Sequence, residues 1–67
     1  MAILHARRAE DTAAGCRLRA ESDEALARQE PNDHMRERLE SSATVWAARA
    51  TLLQRLEEGR DRRSAEA

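Results

Sequence analysis

The chain has 67 residues, of which 40% are hydrophobic, 37% charged and 1% aromatic, with a formal net charge of −1 and one cysteine. A chain this short buries too little apolar surface to be well stabilised alone, and the lone Cys16 excludes an intrachain disulfide. Interspersed acids and bases leave no basic block for nucleic acid and no acidic tail, and the longest apolar runs fall far short of the roughly 20 residues that span a bilayer.

The first predicted element is a helix from about residue 2 to about residue 29. Ala2, Ala6, Ala9, Ala13, Cys16, Ala20 and Ala27 recur at steps of three and four, interrupted at Asp23. They form a seam of small residues that a second helix can approach closely. Ile3, Leu4, Leu18 and Leu26 fall mostly on the other side, so this helix carries two apolar stripes. Gly15 inside it costs about 1 kcal/mol relative to Ala.

The only proline, Pro31, ends that helix, because it disfavours helical geometry at Glu30 and cannot continue the hydrogen-bond ladder. A turn over about 30–32 follows, with Asn32 and Asp33 as N-cap or first-turn residues of the next helix. So short a connection brings the two helices back antiparallel.

The second helix is predicted over about 33–58, with Gly59 as its C-terminal cap. Met35, Leu39, Ala43, Trp46, Ala50 and Leu53 recur at three and four, flanked by a row of Val45, Leu52 and Leu56. Glu37, Glu40, Ser41, Thr44, Thr51, Arg55 and Glu58 face solvent. Residues 60–67 hold no apolar residue larger than Ala and are predicted to fray. Folding about the turn sets Cys16 near Trp46, Ala13 near Ala50 and Ala9 near Leu53.

The expected fold class is therefore all-α: an antiparallel two-helix hairpin of residues 1–59 that dimerises into a four-helix bundle. Val45 is the only Val and Ile3 the only Ile, while Tyr and Phe are absent, which speaks against sheet. Two helices cannot surround a tryptophan. The row Val45, Leu52, Leu56 and the Leu18 side would stay wet in a lone hairpin, so a second copy is expected to cover them.

No catalytic or metal site is expected. Cys16, His5 and His34 lack zinc-ligand spacing, and no His or Lys lies within a helical turn of Cys16 to activate its thiol. Glu10, Asp11, Glu21, Asp23 and Glu24 are carboxylates without the Glu-x-x-His pairs of di-metal bundles. Their simpler use is in pairs four apart, Arg7 with Asp11, Arg17 with Glu21, Glu24 with Arg28 and Arg36 with Glu40. His34 is expected exposed in the first turn of the second helix. No cofactor is implied.

Leu4-His-Ala-Arg-Arg-Ala-Glu-Asp11, followed by Asn32-Asp-His-Met-Arg36, Leu39, Ala43, Trp46 and Ala50, resembles a set of small uncharacterised alphaproteobacterial helical-hairpin proteins. Those show an aromatic then Arg-Ala-Glu-Glu on the first helix, and Asp-Pro-x-x-Arg, Leu, Ala, Trp and Ala on the second. This chain departs in having Leu4 and His5 at the aromatic position and Pro31 ahead of Asn32 and Asp33. The resemblance implies a hairpin and brings no activity with it.

The function expected is a non-enzymatic protein–protein interaction or assembly module, cytoplasmic and homodimeric, with an unidentified protein as a further possible partner and no membrane contact. The core and interface residues are Trp46, Leu39, Ala43, Ala50, Leu53, Leu56, Val45, Leu52, Leu18, Cys16, Ala13 and Ala9. The alternative is a small nucleic-acid-associated regulator, antitoxin-like or a phage-type modulator, acting through Arg17, Arg19 and the Arg60, Arg62, Arg63 tail. Neighbouring acids and the lack of a stacking aromatic other than Trp46 argue against direct nucleic-acid contact. A metal- or ligand-binding bundle is the third class.

Overall fold

The computed structural model describes residues 8–66. They form a one-turn 3-10 helix, Ala9–Asp11, then helix α1 (Ala13–Gln29) and helix α2 (Asp33–Glu66). The two α-helices pack against each other, and Asp23 meets Ser42 while Ala13 meets Glu57, so they run antiparallel. Among the described residues there is no strand. The expected hairpin is present.

The turn forms as its residue types dictate. Glu30 leaves helical geometry at φ −83, ψ 116, its amide bonding back to the Ala27 carbonyl. Asn32 then caps α2: its Oδ1 accepts from the Met35 amide at 3.0 Å, and its carbonyl accepts from the Arg36 amide. The Glu30 carboxylate accepts from the Asn32 amide at 3.2 Å, closing the connection.

The start of α1 differs from the continuous helix expected from about residue 2. Arg8 and Thr12 are extended, so Ala9–Asp11 is a separate turn folded back over the helix. The seam positions Ala2 and Ala6, the residues Ile3, Leu4 and His5, and Arg7 with its expected pairing lie outside the described residues. Thr12 is the reason for the break. Its hydroxyl accepts from the Gly15 amide at 3.0 Å and donates to the Ala9 carbonyl at 2.9 Å, capping α1 and tying down the turn at once. A second cap comes from the other helix, where Glu57 Oε2 accepts from the Ala13 amide at 3.0 Å. A carboxylate at a helix N-terminus also opposes the positive end of the helix dipole.

Gly15 has a structural use that its cost in helix propensity hides. A Cβ there would sit 1.7 Å from the Ala9 carbonyl oxygen, so the folded-back turn rests on the bare backbone of α1. Ala9 itself is exposed rather than a seam member facing Leu53, because it belongs to this turn and not to α1.

The seam is built of small side chains. Among the described residues, Ala13, Cys16, Ala20, Ala27, Ala43 and Ala50 are the buried apolar ones, and Cys16 is the largest side chain wholly out of solvent. Asp23 occupies the step at which the small-residue series breaks, and it too is buried. The register is about one helical turn away from the expected one: a Cys16–Trp46 pairing would set Asp23 opposite Leu39, whereas Asp23 bonds Ser42 and Arg19 lies over Trp46. The first turn of α2 extends past the end of α1 instead of facing it, which slides every pair.

Helix α2 also does not stop at Gly59. It continues through that glycine, which has no positive φ, to Glu66. The segment expected to fray is helical because its residues, Gly59 apart, are adequate to good helix formers, and Arg63 in the last turn suits the negative end of the dipole.

Gly15→Ala would stabilise an open helix by about 1 kcal/mol. Here it is expected to destabilise by about 1–3 kcal/mol in urea unfolding, since the Ala9 turn must lift. A more stable variant would show that the turn does not rest on Gly15.

Candidate functional site

With the seam fixed, helical spacing assigns most other residues to one of two sides of the hairpin. Cross-helix contacts identify them. On one side Arg17 Nη2 donates to Gln54 Oε1 at 2.8 Å. On the other, the guanidinium carbons of Arg19 and Arg49 lie 5.3 and 5.7 Å from the centroid of the Trp46 ring.

The Trp46 side holds the bulky residues that the seam has no room for. Leu26 of α1 and Met35, Val45, Leu52 and Leu56 of α2 share it by their heptad spacing, and all are exposed, Val45 by 65% and Leu52 by 58%. Leu18 is exposed as well, at 67%, but it stands two residues from both Cys16 and Ala20. It therefore points directly away from the seam, and it is not continuous with the Val45 row. Leu39 and Leu53 are half-buried along the seam's flank.

Trp46 is half-buried at the boundary between seam and side. Its ring is not enclosed in aliphatic packing. Two guanidinium groups lie over it, each half-exposed, and each has a carboxylate at a distance too long for a hydrogen bond: Arg19 with Asp23 at 3.9 Å and Arg49 with Asp11 at 3.8 Å. Stacking on the indole, about 0.5–1 kcal/mol per cation at exposed sites, is thus comparable with either ion pair.

Asp23 is the polar anchor beneath this cluster. Ser42 donates to its Oδ2 at 2.6 Å, and among the described residues no buried side-chain polar atom lacks a partner. Cys16 is equally satisfied, its thiol donating to the Glu10 carbonyl at 3.1 Å. It is covered by the N-terminal turn.

The opposite side is polar throughout. Glu21 and Glu24 of α1 and Glu37, Glu40 and Glu58 of α2 lie there by spacing, with Arg17 and Arg28 among them. Thr44 and Thr51 return their hydroxyl protons to the Glu40 and Ala47 carbonyls. Of the expected pairs four apart, Arg36–Glu40 forms at 3.7 Å, while Arg17 turns across to Gln54 instead. His34 is exposed in the first turn of α2. Among the described residues no three His, Cys, Asp or Glu side chains converge as a metal site would require, and no helix is long and apolar enough to cross a membrane.

The Arg19–Trp46–Arg49 cluster, the Asp23–Ser42 bond and the Glu57 cap were not foreseen. Only the spacing of Arg49 three after Trp46 signalled any of them. No protein-family model, curated protein or solved structure matches the chain.

Ser42→Ala leaves the buried Asp23 without its short hydrogen bond and is expected to cost about 1–3 kcal/mol. In a double-mutant cycle, adding Asp23→Ala should recover part of that loss. Strict additivity of the two would show the pair to be uncoupled.

Proposed function

We propose that this chain is a non-enzymatic helical protein–protein interaction module that acts as a homodimer, the apolar side of one copy laid on that of another to form a four-helix bundle. The supporting observation is the apolar side itself: Leu26, Val45, Leu52 and Leu56 are each more than half exposed. A continuous row of this kind is more than monomers usually leave in water.

The residues on that side suit the purpose. Leu26, Val45, Leu52 and Leu56, with the free edge of Trp46, form the apolar centre, and the arginines form the rim. Leu18, which points elsewhere, takes no part in this contact. Sedimentation at micromolar concentration should give a dimer. The exposed positions allow a clean test, because Leu52→Glu with Leu56→Glu should leave the far-ultraviolet helical spectrum intact and produce monomer. A wild-type chain that sediments as a stable monomer overturns the reading.

A second reading, contact with nucleic acid, is favoured by one feature alone: Arg19, Arg38 and Arg49 occupy the same side. Binding to generic duplex DNA with a steep salt dependence would support it, and no binding at low salt removes it.

A further inference from the structure

No residue of the Ala9–Asp11 turn is buried. It is held down by polar contacts: the Thr12 hydroxyl and amide both donate to the Ala9 carbonyl, the Cys16 thiol donates to the Glu10 carbonyl at 3.1 Å, and Asp11 lies 3.8 Å from Arg49. The bare backbone of Gly15 gives it a floor. The hairpin beneath is fastened separately, since the Gly15 amide is capped by Thr12, the Ala13 amide by Glu57 of α2, and the buried seam lies within the two helices. Between turn and helix stands Thr12, extended at φ −117, ψ 152. Cys16 is wholly out of solvent, with its thiol aimed at the turn.

From this arrangement we infer that the Ala9–Asp11 turn is a strap that opens about Thr12 while the two helices stay paired, and that its opening bares the Cys16 thiol. Segments with little buried apolar surface and exposed hydrogen bonds open locally, well below the free energy of global unfolding. The strap also links two places: Glu10 closes over the thiol, and the next residue, Asp11, reaches Arg49, whose guanidinium lies over Trp46. Whatever draws Arg49 away from Asp11 therefore loosens the cover on Cys16. No second copy of the chain is needed.

The test is alkylation of the full chain by iodoacetamide, followed by mass, in which the Cys16 sulfur displaces iodide and its proton passes to buffer. Without denaturant the rate should be about 10–1,000-fold below that of the unfolded chain, the protection that two or three net hydrogen bonds give. It should stay nearly flat through low urea, because lifting one turn exposes little surface. Arg49→Gln, outside the strap, should raise the rate by a factor of about 1.5 to 5, the worth of a half-exposed ion pair, and Asp11→Asn should match it. Gly15→Ala should bring the rate close to that of the unfolded chain with the far-ultraviolet helical spectrum retained. A rate that climbs with urea as steeply as unfolding shows that the thiol is bared only when the helices part, and overturns the strap. A wild-type rate equal to that of the unfolded chain, or an Arg49→Gln rate equal to that of wild type, overturns it as well.

Discussion

The structure depends on the size of the side chains along one line. Where Ala13, Cys16, Ala20 and Ala27 meet Ala43 and Ala50, little stands between the two helix surfaces, and the backbones come close. Each buried methyl contributes only about 0.8 kcal/mol, so such a seam specifies close approach more than it supplies stability. The larger side chains are excluded from it, and they collect on the flanks. The result is a body whose principal extents are 52 × 30 × 13 Å, one helix thick, with both broad sides open.

That exclusion is also what sorts the remaining residues. Once the heptad phase of each helix is locked by its small residues, the direction of every remaining position follows without further choice. Arg19, Arg38 and Arg49 share one side with the branched aliphatics, and glutamate and threonine share the other with Arg17 and Arg28. Trp46 sits at the border, where a flat ring with an electron-rich face tolerates the guanidinium groups that the aliphatic residues beside it would not attract. Its burial is partial for the same reason.

Much of the hairpin was legible in the residues. Pro31 with Asn32 located the turn and the cap, the three-and-four spacing from Ala13 to Ala27 located the seam, and the wetness of Val45, Leu52 and Leu56 followed from their place beside it. Other features were not legible, because they arise from contacts between distant segments. Thr12 looked like an interior helix residue, since a single threonine among alanines carries no periodic signal, and only the Ala9 turn lying on Gly15 explains the break. The register depended on how far α2 runs before it meets α1, which the turn residues do not encode. Gly59 followed the usual rule for a helix end, yet nothing after it offers the chain a better use than another two turns of helix. Trp46 was expected near Cys16 as part of the core and interface, and pairing from the other helix by Arg19 cannot be seen in one helix's own pattern.

The hairpin is fastened at both of its ends: by Asn32 and Glu30 at the bend, and by the Glu57 carboxylate reaching the Ala13 amide where the helices part. A helix pair joined only at its bend peels open from the far end, a turn at a time. With a clasp at that far end as well, the stretch between is under no obligation to fray first, and proton exchange of its amides becomes tied to separation of the pair as one unit.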